Sequence, residues 1–256
     1  MGRQPEPGRS ALKNVLLLKA GEAAASVRLL VGDYDRWFLQ TVGLSGYRFD
    51  TLAVHQGAQL PASAAGYDAV MMTGSPLSVT QPEPWMERAA EFMVNAEAHG
   101  IPVLGVCFGH QLLAYAYGGR VARNPLGREI GTVQVQLTPA GRADALFHGL
   151  PERIAVQATH EDLVPEPPQG AQVLAGNANT AVQALAFRPN ARGVQFHPEV
   201  QPDAMRALIQ ARAERLEAEA TSRGQPPGER VPRLLAGLAP TPAGRQILVN
   251  FLERFN

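Results

Sequence analysis

The sequence predicts an α/β fold: an open, mostly parallel sheet flanked by helices, with a small antiparallel extension and C-terminal helices. Three observations carry this. Short apolar runs alternate with helical patterns through the first half of the chain, the signature of βα units around a parallel sheet. One such run, Ile101-Pro102-Val103-Leu104-Gly105-Val106, breaks at Cys107 and restarts as a helix. Beyond it, short strands follow one another at close spacing, as antiparallel neighbours do.

Asn14-Val15-Leu16-Leu17-Leu18 is the first strand. A helix follows over 34–42, with Asp33 as its N-cap. Tyr47 to Val54 and Tyr67 to Met72 are the next strands, and Glu83 to His99 is a helix that closes at Gly100 and leads into the strand before Cys107. Arg120 to Ala122, Gly131 to Leu137, Ile154 to Ala158, Gln172 to Ala175 and Val182 to Phe187 make the antiparallel extension. Ala191 to Phe196 then returns to the first sheet. Asp203 to Ala220 places Met205, Leu208, Ile209 and Leu216 near helical spacing, and residues 221–228 form a loop. A last helix, from Thr241 or Pro242, puts Ile247, Leu248, Phe251 and Leu252 on one face. The expected organisation is a disordered tail over 1–12, one α/β domain over 13–200, and a helical extension over 201–256 packed on that domain.

With 256 residues, 45% of them hydrophobic, the chain can bury a large single core. Its 23 basic side chains balance 23 acidic ones, which gives no electrostatic reason to expect nucleic acid. One cysteine excludes an intrachain disulfide, and no CxxC or Cys/His cluster suggests zinc, so no metal site is expected. Met1 to Ser10 lacks the apolar segment of a signal peptide, and no apolar stretch approaches the roughly 20 residues of a membrane span. A soluble cytoplasmic protein without a membrane partner is expected.

A free cysteine is ordinarily a small buried hydrophobe. Cys107 differs because Gly105 and Gly109 flank it at a strand-to-helix elbow, where small neighbours let the backbone turn sharply and leave the side chain exposed. The N-terminus of the following helix points its N–H groups and positive dipole end at the sulfur, which favours thiolate. Nucleophilic attack by sulfur is the chemistry implied, and it needs a base and an orienting acid.

Of six histidines, His55, His99 and His148 read as solvated surface. His110 lies three residues past the cysteine on the departing helix and points away from the sulfur. His160, in Ala158-Thr159-His160-Glu161-Asp162, stands at a polar break and can line a site. His197 is the strongest base. It ends the run Gly193-Val194-Gln195-Phe196-His197, and Pro198 keeps the chain extended so that His197 and Glu199 project the same way. Glu199 can then set the imidazole tautomer and stabilise the imidazolium. Thr73-Gly74-Ser75-Pro76 follows a buried strand, at the sheet edge that carries ligands in open α/β folds. A backbone N–H from Gly74 or Ser75, with that of Phe108, makes a two-donor oxyanion hole.

Together these residues resemble the class I, or triad-type, glutamine amidotransferases. The resemblance rests on Gly105 to Ala114, Gly193 to Glu199 and Thr73 to Pro76 in the expected order, extends through Asn124 to Gly131, and covers roughly residues 14–200. It implies a flavodoxin-like sheet and no cofactor. Cys107 would attack the side-chain amide of glutamine, His197 and Glu199 would complete the triad, and water would release glutamate. The resemblance also puts Gln111, Thr159, His160, Glu161 and Asp162 against the substrate. Ser75 and Glu161 depart from it, each standing where glycine is frequent.

The resemblance points most closely to stand-alone, GMP-synthase-related members. No GxxxxGK[ST] loop marks an ATP-using synthase domain in this chain. Either the ammonia passes to a separate synthase subunit, or the domain works alone. Some relatives of this kind cleave γ-glutamyl peptides instead of glutamine, through the same acyl-enzyme. A non-catalytic regulatory module on the same fold is the remaining alternative.

Overall fold

The computed structural model describes residues 12–255; the tail expected over 1–12 lies, up to residue 11, outside them. In chain order the strands are β1 Lys13–Lys19, β2 Tyr47–Ala53, β3 Ala69–Met72, β4 Val103–Val106, β5 Arg120–Arg123 and β6 Glu129–Leu137. They continue as β7 Arg153–His160, β8 Asp162–Glu166, β9 Gln172–Gly176, β10 Ala184–Arg188 and β11 Ala191–Val194. The α-helices are α1 Ala25–Val31, α2 Tyr34–Val42, α3 Pro84–Ala98, α4 Phe108–Ala116 and α5 Pro139–Ala143. After the last strand come α6 Pro202–Ala211, α7 Ala213–Thr221, α8 Arg230–Ala236 and α9 Ala243–Arg254.

A nine-stranded mixed sheet runs β2-β1-β3-β4-β11-β10-β9-β6-β7, and β5 pairs with β8 in a separate antiparallel ribbon. From β2 through β11 the strands are parallel. From β11 to β7 every pairing is antiparallel, so most of the antiparallel extension continues the main sheet. The central parallel strands β3 and β4 are apolar and buried throughout because helices cover both their faces, whereas the edge strand β2 carries Arg48 and Asp50. In β1, Val15 and Leu17 enter a core shared with α2 and α9, while Leu16 and Leu18 enter one shared with α3 and α4. This is the two-residue alternation of a strand.

The local signals explain the elements. Asp33 caps α2, its carboxylate accepting from the Tyr34 N–H at 2.9 Å, and Pro84 opens α3 at a position where its missing N–H costs nothing. Ile247, Leu248, Phe251 and Leu252 of α9 are buried in the core beside Val106 and Val194. The helix expected over 203–220 is divided at Arg212, whose φ of −113° and ψ of 13° separate α6 from α7. Met205, Leu208, Ile209 and Leu216 on the two pieces still share one apolar cluster. The short helices α1, α5 and α8 and the strand β8 carry too little periodicity to be read locally.

Candidate functional site

The elbow is formed as its glycines require. Cys107 is the only non-glycine residue among those described with a positive φ, 52°, and its N–H donates to Val194 O at 2.8 Å, tying the turn to β11. A Cβ on Gly105 would stand 2.3 Å from the Gly109 backbone, and one on Gly109 would stand 2.9 Å from Met72 O. Neither position admits a side chain without moving backbone. The strained, left-handed conformation at Cys107 is held by β4, β11 and α4 packing around it.

His197 reaches the same place from β11. Its N–H donates to Gln157 O at 2.8 Å, and its Nδ1 lies 2.7 Å from Glu199 Oε1. Glu199 is held in turn from α2, where the Thr41 hydroxyl donates to its backbone carbonyl at 2.9 Å. Gly244, at the start of α9, packs so closely on Pro198 that a Cβ there would meet Pro198 O at 2.3 Å. Both His197 and Glu199 are buried, at 5% and 1% exposure. Burial pulls the His197 imidazole down, but the charges of Glu199 and Cys107 outweigh it and hold the group at about 10. An imidazolium is therefore stabilised between a carboxylate and the sulfur. Nε2 of His197 has no hydrogen-bond partner among the described residues.

The Thr73–Pro76 turn closes over this pair. Thr73 pins it: its hydroxyl accepts from the Ala20 N–H at 3.0 Å and donates to Gly74 O at 2.9 Å. A Cβ on Gly74 would come within 2.7 Å of His197 Cε1 and 3.5 Å of Cys107 Cβ. The N–H of Phe108, first residue of α4, has no partner within its helix. The Gly74 turn and the N-terminus of α4 thus both lie against Cys107.

Cys107 opens into a cleft of about 340 Å³. Gln111, Thr159, His160, Glu161 and Asp162 all line it, as do Ser75 and Ser78. Their side chains are differently occupied. Gln111 spends its amide N–H groups on Asp162 O at 3.0 Å and Gln195 Oε1 at 3.1 Å. Gln195 in turn donates to Cys107 Sγ at 3.7 Å. His160 has both ring nitrogens engaged, Nδ1 with Asp162 O and Nε2 with the buried Glu129 carboxylate, each at 2.9 Å. No ring nitrogen is left for a ligand, so its side chain braces the cleft wall. Asp162 accepts from the Ser78 hydroxyl at 2.5 Å.

Glu161, where the resemblance favours glycine, is the centre of a charge network. Its carboxylate binds Arg123, Arg128 and Arg215. Glu219 of α7 binds Arg128, Arg215 and Arg230 from behind. Sequence reasoning overlooked Arg123, Arg128, Gln195, Arg212 and Arg215 as site residues. Arg128 and Gln195 lie inside motifs already singled out, whereas Arg212 and Arg215 sit in a helical stretch whose only local signal is amphipathic. The remaining histidines stand apart. His99 and His148 are exposed; His55 is half-buried with Nδ1 on Lys19 O at 2.9 Å. His110 is fully buried against the Phe187 ring and pushed down to about 3 by burial.

The family model for glutamine amidotransferase class-I matches residues 33–213. The chain belongs to this family. The matched span contains the elbow, the His197–Glu199 pair and every residue named above as lining the cleft except Arg215. Among curated relatives of this amidotransferase is a glutamine-hydrolyzing GMP synthase subunit of Saccharolobus solfataricus. It is 34% identical over 170 residues, which are 66% of this chain and 85% of the relative. Gamma-glutamyl peptidase 4 of Arabidopsis thaliana is 27% identical over 77% of this chain and 80% of its own. In fold, the chain matches the crystal structure of a glutamine amidotransferase from Methylobacillus flagellatus with a TM-score of 0.75, 24% identity and 96% coverage of each chain. No helix among the described residues is long and apolar enough to cross a membrane.

Proposed function

We propose that this amidotransferase hydrolyses the γ-amide of glutamine through a thioester on Cys107. The Cys107 thiolate attacks the amide carbon while the developing oxyanion is met by the N–H groups of Phe108 and of Gly74 or Ser75. His197, oriented by Glu199, gives its proton to the departing nitrogen as the C–N bond breaks, and ammonia leaves. His197 then takes a proton from water as that water attacks the thioester, releasing glutamate and the free thiol. Gln111 and the segment from Thr159 to Asp162 form the substrate wall. The observation that carries this reading is the left-handed Cys107 at a glycine-flanked elbow, with a Glu199-bound His197 beside it.

A γ-glutamyl peptide is the second substrate reading, favoured by the likeness to a protein named as a γ-glutamyl peptidase. Residues 13–200 act as the amidotransferase domain, with 201–256 as an extension of it. A separate ammonia-accepting synthase subunit is the partner this reading suggests, since the Saccharolobus relative is itself named as one subunit of a synthase. A cytoplasmic setting suits a thiol that must stay reduced.

The test is the release of ammonia and glutamate from glutamine by the purified protein, beside the release of amino acid from γ-glutamyl dipeptides. Cys107→Ser is expected to be silent on both while unfolding at the same temperature as the parent. Turnover that survives this substitution would overturn the assignment.

A further inference from the structure

Among the described residues, the cleft contains one cation without a counter-ion. Arg123, Arg128 and Arg215 are matched by Glu161, and two of them also by Glu219. Arg212 lines the same cleft as Cys107, yet it has no carboxylate partner among the described residues. The one hydrogen bond of its side chain runs from Nη1 to the Thr159 hydroxyl at 2.6 Å. A guanidinium carries five N–H donors in a rigid fork and does not give up its charge in a protein. Burial nevertheless disfavours the charged form of Arg212 and outweighs the support of Tyr34 and Cys107, and neighbouring Arg128 and Arg215 add to the penalty. Holding a partly buried, unpaired guanidinium is costly unless something else neutralises it.

The backbone shows how this residue is mounted. Arg212 occupies the break between α6 and α7, out of register with both. Leu208 and Ile209 on one side and Leu216 on the other are buried in one cluster, so the break is clamped at both ends. The side chain leaves a rigid corner toward Thr159, at the end of β7.

We propose that Arg212 binds a substrate carboxylate and so determines which γ-glutamyl compounds the site accepts. The fork that Thr159 orients has donors left for a two-point contact with a carboxylate. An α-amino acid offers a carboxylate and an ammonium. The cleft offers the unmatched Arg212 and the Asp162 carboxylate, which accepts from the Ser78 hydroxyl. The carboxylate can be the α-carboxylate of the glutamyl part or that of a departing amino acid; the chemistry at Arg212 is the same. The proposal deepens the reading above, resting on it for the word substrate but not for the anion site.

Cys107 is the only cysteine, so its alkylation reports on the cleft without any turnover. The experiment compares alkylation by anionic iodoacetate with that by neutral iodoacetamide in the parent, Arg212→Gln and Arg212→Lys. In Arg212→Gln the iodoacetate-to-iodoacetamide rate ratio is expected to fall roughly tenfold, the size of one charge-assisted contact. Arg212→Lys is expected to restore most of it. An unchanged ratio in Arg212→Gln overturns the proposal whether or not the protein uses glutamine; a lowered ratio without any turnover keeps the anion site and removes the amidotransferase reaction instead. Steady-state kinetics then separate the two carboxylates. A KM increase in Arg212→Gln for glutamine and γ-glutamylmethylamide alike assigns the α-carboxylate. An increase confined to γ-glutamyl dipeptides assigns that of the leaving amino acid. A fall in kcat with KM unmoved on all three would overturn a role in binding.

Discussion

The two walls of the cleft are built on different principles. The wall that carries Cys107 belongs to the parallel half of the sheet, where β4, β11 and α4 pack tightly, with no charge pair between them among the described residues and His110 buried between α4 and β11. Its geometry is a matter of backbone: a left-handed cysteine, two glycines without room for a methyl group, and a histidine anchored by main-chain hydrogen bonding. The facing wall belongs to the antiparallel region and the C-terminal helices. There the geometry is held by side chains, with Glu161 and Glu219 gathering arginines from β5, the loop before β6, α7 and α8. The proposed reactive groups thus sit where the chain has no freedom, and the proposed substrate wall where paired charges can be exchanged one at a time.

The largest test of that division is Cys107→Ser, which should lower glutamine turnover by more than roughly 10³-fold, as loss of a nucleophile does. Gly105→Ala should be nearly as severe, but on stability. Its new methyl would stand 2.3 Å from the backbone of Gly109, and overpacking against atoms that cannot rotate away should cost about 3 kcal/mol or more in denaturant unfolding. Gly74→Ala presses on the imidazole instead, 2.7 Å from His197 Cε1, and should lower kcat by about 10²-fold with little change in unfolding temperature. Glu161→Gln, on the facing wall, should cost only about 1 kcal/mol of stability, since two of its three partners are well exposed, and should act on KM. A kcat loss in Glu161→Gln as large as that in Gly74→Ala would break the distinction between the walls.

The smallest effect is one of pH. His197 is raised from the ordinary 6.5 to about 10, so its contribution to stability is complete below pH 6.5 and is lost as the pH rises through about 10. Glu199→Gln removes the principal charge that raises it. The difference in unfolding free energy between the parent and Glu199→Gln should therefore narrow steadily between pH 6.5 and about 10. A difference that widened across this window would mean that His197 is not held as the imidazolium.

Much of the reactive wall is legible in the sequence because its signals are local. Two glycines around one cysteine after an apolar strand announce the turn, and a proline between His197 and Glu199 announces that they share a face. The helix over 34–42 with its Asp33 cap, and the helix ending near Gly100, are local in the same sense. The division of 203–220 at Arg212 has no such marker, since no glycine or proline stands there. It follows from two apolar stripes that must settle on one cluster. His160 shows the limit from another side: its place on the cleft is legible, but its engagement by Glu129, 31 residues earlier in the chain, is not.

By itself, then, the sequence determined the α/β alternation, the elbow at Cys107 and the pairing of His197 with Glu199, each through spacings of a few residues that backbone geometry converts directly into direction. Tertiary structure alone decided that Glu161 would gather three arginines, that His160 would have no nitrogen to spare, and that Arg212 would face the cleft unmatched. Those outcomes join side chains as much as 54 residues apart, as in the contact of Arg215 with Glu161. Charge pairing has no period along the chain; it depends on which segments the packed sheet and helices bring within reach.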